Sequence, residues 1–191
     1  SKKQIKTMAD IKGLKLRAPT RLTTKLLASM GATPVGMPVP AVPDALSKGV
    51  IDGAVIPYEV GPSIKIDELA HFTAEPDRNA NALYTTVFVV PMNRAKYDSL
   101  PPDLQKVIDK NSGRELSAFL GKTQAGNDVP GKEKMIAGGH TITVIGKSEL
   151  ENWKKASDSI DDEWVADMNK RGLDGKALLQ DAQALIKKYT K

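Results

Sequence analysis

The chain has 191 residues, with 28 Lys and Arg against 23 Asp and Glu and a formal net charge of +5. Its 40% hydrophobic and 27% charged content excludes collagen-like, low-complexity and wholly disordered chains. Residues 1–25 hold eight basic groups and one acid, the other 166 hold 20 basic and 22 acidic groups, and aromatics make up only 5%, so no nucleic-acid partner is expected.

The first sixty residues repeat one pattern. Leu14 to Pro19, Thr33 to Pro38 and Gly53 to Pro57 are short strand-like runs that each end at a proline, which has no N–H for a ladder and restricts the residue before it. Between the first two runs, Leu22, Leu26, Leu27 and Met30 are spaced for a helix, with Thr20 as its cap and Gly31 at its end. Between the second and third, Pro40 to Lys48 reads as a shorter helix with Val42, Ala45 and Leu46 inward and Gly49 closing it. Strand, helix, strand, helix, strand is an α/β layout with a parallel sheet.

Further on, Leu83 to Val90 is the longest β-branched run and reads as the strongest strand. Asn93 is the expected cap of a helix from Arg94 to Leu100, and Pro101-Pro102-Asp103 starts a long helical stretch in which Gly113, Gly121 and Gly126 are candidate breaks. His140 to Ile145 alternates as a strand. Ser148 to Asp167 and Asp174 to Tyr189 are amphipathic helices, the former with Trp153, Ile160 and Trp164 on its apolar side, the latter with Leu178, Leu179, Ala182, Leu185 and Ile186.

In an open α/β sheet a ligand sits beyond the carboxyl ends of the strands, here Arg17-Ala18-Pro19, Met37-Pro38 and Ile56-Pro57-Tyr58-Glu59. Arg17 has the planar fork that grips a carboxylate or phosphate; from position alone it is equally a structural ion-pair residue. Thr20 stands at a helix N-terminus, as an anion contact or as a plain cap. Tyr58 and Glu59 can contact a ligand or belong to a solvated loop, and Met37 and Ile56 suit an apolar wall or the core. There is no Cys, so thiol and disulfide chemistry is excluded. The sequence contains no Gly-rich phosphate loop, GxSxG or HExxH signature, and His71 and His140 have no ligand-like spacing. No metal, cofactor or catalytic residue is expected. The charged N-terminus lacks the apolar region of a signal peptide, and no apolar run reaches membrane-spanning length.

Three ordered segments carry a family resemblance: Asp10-Ile11-Lys12-Gly13-Leu14-Lys15-Leu16-Arg17-Ala18-Pro19, Met30-Gly31-Ala32-Thr33-Pro34-Val35, and Ala45-Leu46-Ser47-Lys48-Gly49-Val50-Ile51-Asp52-Gly53. With Met92 to Pro101, Trp153-Lys154-Lys155, Trp164 and Gly172 to Leu178, they resemble the DctP-type solute-binding proteins of TRAP (tripartite ATP-independent periplasmic) transporters. The resemblance implies a periplasmic-binding-protein-like fold of two α/β lobes, here without its N-terminal portion. It implies residues 10–82 as a ligand-binding lobe, 83–146 as an inter-lobe strand, long helical region and strand of the other lobe, and 147–191 as helices packing back across both. It further implies a periplasmic receptor that binds a small organic acid and delivers it to a TRAP permease, without spanning the membrane itself. The family's carboxylate-clamping arginine falls on Arg17. Members that bind sugar acids carry an Asn in an E-N-P triplet where this chain has Val55-Ile56-Pro57, so a less hydroxylated acid is expected: a keto, hydroxy or aromatic monocarboxylate. The alternative is a small α/β enzyme acting on an organic acid, with Glu59 as base.

Overall fold

In the computed structural model, which describes residues 1–80 and 82–189, the proline-ended runs form one parallel sheet behind a short helix α1 (Met8–Ile11). Strands β1 (Lys15–Ala18), β2 (Thr33–Gly36) and β3 (Gly53–Ala54) lie in the order β2-β1-β3. Arg17 is opposite Val35 on one side and Ala54 on the other. Helix α2 (Arg21–Ser29) links β1 to β2, and a 3-10 turn (Val39–Ala41) followed by α3 (Val42–Ser47) links β2 to β3. The local signals behave as their chemistry predicts. The Thr20 hydroxyl accepts from the Thr23 N–H at 3.2 Å, and Gly31 and Gly49 leave their helices at φ of 85° and 70°, a backbone region that costs a side chain bearing a Cβ.

Side chains alternate across a strand, and β1 uses both of its faces. Leu14, Leu16 and Ala18 enter one core with Leu27 and Met30 around α2, Ile145 and Trp153. A second core gathers Val42, Ala45 and Leu46 of α3 with Ile51, Ile66, Ala70 and Met135. The chain winds from β1 to β2 by one face and back past β1 to β3 by the other, so β1 is the point where the strand order reverses. Leu22, placed by spacing on the apolar side of α2, is instead 48% exposed, because Leu26, Leu27 and Met30 already fill the contact with the sheet.

After β3 come a 3-10 turn (Pro62–Ile64), α4 (Ile66–Leu69) and β4 (Phe72–Pro76). Helices α5 (Arg94–Asp98), α6 (Pro102–Lys110) and α7 (Gly113–Ala137) then lead to β5 (Thr141–Ile145), which pairs in parallel with β4 in a separate two-stranded sheet. Helices α8 (Lys147–Lys170) and α9 (Gly175–Tyr189) complete the described chain. Asn93 caps α5 by accepting from the Lys96 N–H at 3.1 Å. Of the three glycines expected to interrupt the long helical stretch, only Gly113 does so, at φ 74°, while Gly121 and Gly126 lie inside α7. On α8, Trp153 is buried. On α9, Leu178, Leu185 and Ile186 are 42–54% exposed.

The largest correction concerns Leu83 to Val90. This segment forms neither strand nor helix, and Val87, Phe88, Val89 and Val90 are 70–81% exposed. β-branched residues favour extended backbone, but a strand exists only where a ladder partner takes up its N–H and C=O groups. Among the described residues none does so.

Candidate functional site

Arg17 sits at the carboxyl end of β1, the reversal point where ligands bind in open α/β sheets. Its side chain points away from the α2 core and is 6% exposed. Nε donates to the Met37 carbonyl at 3.1 Å and Nη1 to the Val55 carbonyl at 2.9 Å, so the ends of β2 and β3 hold the guanidinium in one orientation. That leaves three of its five N–H donors without a protein acceptor among the described residues. Nor does any described carboxylate form an ion pair with it. Burial pulls the Arg17 pKa below its ordinary value, with Tyr84 pushing back. A shielded cation with donors left over is chemically able to take an anion.

A cavity of about 1020 Å³ borders Arg17, lined among others by Thr20, Ile56, Tyr58, Glu59 and Tyr84. The structure therefore brings five of the six sequence-expected residues to one cavity: Arg17, Thr20, Ile56, Tyr58 and Glu59. Their roles differ. The Thr20 hydroxyl is engaged in capping α2 and also meets the Thr23 hydroxyl at 3.0 Å. Ile56 supplies apolar wall. Met37 does not line the cavity; its side chain packs against the α3 core and it serves the site through its carbonyl alone.

Tyr58 and Glu59 are tied to α7. The Tyr58 phenol donates to Glu75 at 2.9 Å, and the Lys132 ammonium contacts both Glu75 oxygens, at 2.5 and 2.7 Å. That ammonium also lies 5.4 Å from the Tyr58 ring centre, a cation–π distance. Burial, then the Glu75 hydrogen bond, raise the Tyr58 pKa above its ordinary value. The Glu59 carboxylate accepts from Gln124 at 2.9 Å, and its N–H donates to Asp128 at 3.0 Å. Gly131 lets α7 come this close, since a Cβ there would stand 2.4 Å from the Tyr58 carbonyl oxygen.

Sequence reasoning missed Gln124, Asp128, Gly131 and Lys132. Their steps of four, three and one place them along one face of α7, a small-and-polar stripe that would have been the signal. It also missed Tyr84. Among the described residues no three His, Cys, Asp or Glu side chains gather as a metal site, and no helix is long and apolar enough to cross a membrane.

The chain is similar to several known binding proteins. A TRAP solute-binding protein from Rhodoferax ferrireducens, solved with copurified benzoate, is 53% identical, with a TM-score of 0.94 over 97% of this chain and 58% of its own. One from a marine metagenome, described as specific for aromatic acid ligands and solved with metahydroxyphenylacetate, is 45% identical, with a TM-score of 0.93 over 99% of this chain and 59% of its own. The 2,3-diketo-L-gulonate-binding periplasmic protein of Escherichia coli is 30% identical over 88% of this chain and 48% of its own length. The chain thus has the fold of two-lobed binding proteins and spans about half to three-fifths of these relatives. These relatives are binding proteins, not enzymes, so the enzyme alternative finds no support in them. Residues 1–167 match the family described as bacterial extracellular solute-binding protein, family 7, and the chain belongs to that DctP family.

Proposed function

We propose that this chain is the carboxylate-clamping part of a TRAP solute receptor that binds a small, largely apolar monocarboxylic acid, aromatic acids foremost. The carrying observation is Arg17: buried, held by two backbone carbonyls and without a described acidic partner. The surroundings narrow the class. Ile56, Ala54 and Val55 border the cavity beside Arg17 and suit a ring or short hydrocarbon better than a polyhydroxylated chain. The benzoate and metahydroxyphenylacetate bound by the two relatives at 53% and 45% identity support the same class.

In this reading Arg17 takes the carboxylate bidentately, Ile56 lies along the apolar body, and Tyr58 and Glu59 frame the pocket as part of the α7 contact. Residues 10–82 form a ligand-binding lobe, 83–146 pass toward the second lobe, and 147–191 pack back across both. The receptor works in the periplasm and hands its ligand to membrane permease subunits. Family membership and the binding proteins the chain resembles support this reading.

The test is a calorimetric and thermal-shift panel on the full-length gene product carrying these residues, using benzoate, 3-hydroxybenzoate, succinate and glucuronate. Benzoate and 3-hydroxybenzoate raise the melting temperature by an amount that grows with the logarithm of ligand concentration over Kd, and glucuronate does not. Stabilisation by glucuronate but not by the aromatic acids overturns the assignment of ligand class, and no stabilisation by any acid overturns the receptor reading.

A further inference from the structure

We propose that Tyr84 is a second ligand-contacting residue of the Arg17 site, donating its phenolic hydrogen to an oxygen of the bound acid. This rests on the receptor reading above and assigns a role to a segment whose sequence reads only as a strand. Across residues 82–93 just two side chains are half-buried, Tyr84 and Thr86; all the others are exposed. The two are separated by one residue, so in extended backbone they share a face. Both line the cavity that borders Arg17. The segment thus turns one narrow polar edge inward, while Val87 to Val90 stay 70–81% exposed.

The chemistry of that edge has a direction. Burial raises the Tyr84 pKa, while the Arg17 charge lowers it. The Tyr58 and Tyr97 phenols each donate to a carboxylate, whereas the Tyr84 O–H has no acceptor among the described residues. Arg17 feels Tyr84 in return, so the two groups share one electrostatic neighbourhood. A carboxylate gripped by the free side of Arg17 has lone pairs left after a bidentate contact, and a phenol O–H beside the guanidinium suits one of them. An amide or alcohol of the same shape would lack the charge that makes this donor valuable. Tyr84 would therefore sharpen the preference for the ionised acid.

The experiment measures benzoate and 3-hydroxybenzoate affinities by calorimetry for full-length wild type, Arg17→Met and Tyr84→Phe. The Phe variant keeps the ring and removes only the hydroxyl. The expected result is a loss of about ten- to a hundredfold for Tyr84→Phe on both acids, the range for one hydrogen bond to a charged partner, with the ligand-free melting temperature unchanged. Unchanged affinity in Tyr84→Phe, while Arg17→Met binds poorly, overturns the Tyr84 role and leaves the receptor reading standing. Weaker binding accompanied by a lowered ligand-free melting temperature makes Tyr84 a packing residue and also overturns it. If wild type binds neither acid, it is the receptor reading that fails, and the Tyr84 role fails with it.

Discussion

Replacing Arg17 with methionine removes the guanidinium while keeping much of its volume, which separates what the charge does for the fold from what it does for the ligand. In the ligand-free protein two effects oppose each other. The Met37 and Val55 carbonyls lose donors now at 3.1 and 2.9 Å, and each buried acceptor left unsatisfied costs about 1–3 kcal/mol. Against this, a buried cation without a described acid carries a desolvation penalty of several kcal/mol, which the substitution relieves. The sum is small, so urea unfolding of the ligand-free variant should stay within about 2 kcal/mol of wild type. Binding has no such compensation. Truncating one partner of a buried, hydrogen-bonded charge pair costs about 2–5 kcal/mol, which is roughly thirty- to several-thousand-fold in affinity. Isothermal titration with benzoate reads this directly on the full-length protein. Arg17→Lys should fall between, because an ammonium is a point charge and cannot serve two carbonyls and a carboxylate in one plane. Benzoate binding by Arg17→Met within threefold of wild type would refute the clamp, whatever the variant's stability.

Three further substitutions test the frame around the site. Gly131→Ala places a Cβ 2.4 Å from the Tyr58 carbonyl, so α7 and the 57–61 loop must separate; we expect a loss of about 1–3 kcal/mol in denaturant unfolding, and wild-type stability would show that the contact yields freely. Glu75 and Lys132 keep only 17% and 21% side-chain exposure, so a double-mutant cycle of Glu75→Gln and Lys132→Met should return a coupling of about 1 kcal/mol or more; additivity would contradict the pairing. His140 is buried, with Nδ1 3.2 Å from the Thr73 hydroxyl and Nε2 without a hydrogen-bond partner among the described residues, and burial lowers its pKa. The unfolded state then binds the extra proton, so this contribution to stability is full above about pH 6.5 and is lost as pH falls from there toward the folded-state value. A His140→Gln variant should show a flatter stability profile below pH 6.5, and an unchanged slope would assign the acid sensitivity elsewhere.

What could be read from the chain and what could not divide along the range of the interactions involved. The strand ends before Pro19, the Thr20 cap and the glycines after α2 and α3 are set by chemistry within a few residues, and each stands where local rules place it. Arg17 belongs with them: a strand that alternates Leu16, Arg17, Ala18 must turn the charged residue away from the α2 core. The second sheet is the opposite case. Phe72–Pro76 alternates apolar and polar residues but is short and holds a proline and a glutamate, and it forms β4 because β5 arrives beside it after the long crossover through α5, α6 and α7. Leu83 to Val90 has the stronger strand composition and no described partner. A ladder is therefore a property of two segments, and propensity in one of them neither creates nor forbids it.

The same distinction explains the site. Arg17 could be found because its neighbours in sequence fix both its strand and its face. Tyr58 and Glu59 could be placed at the edge but not assigned a state, because their partners Gln124, Asp128, Gly131 and Lys132 come from a helix more than sixty residues away. Once those partners are known, the two residues stop looking like free ligand groups. The Tyr58 proton is committed to Glu75, and one Glu59 oxygen to Gln124. Arg17 moves the other way: two of its donors are held by backbone carbonyls and the other three have no protein acceptor among the described residues, beside a cavity with both apolar and polar walls. A binding residue is distinguished from a structural one by what the fold leaves unfilled, and that criterion is why Arg17, with Tyr84 beside it, is the residue proposed to take the ligand.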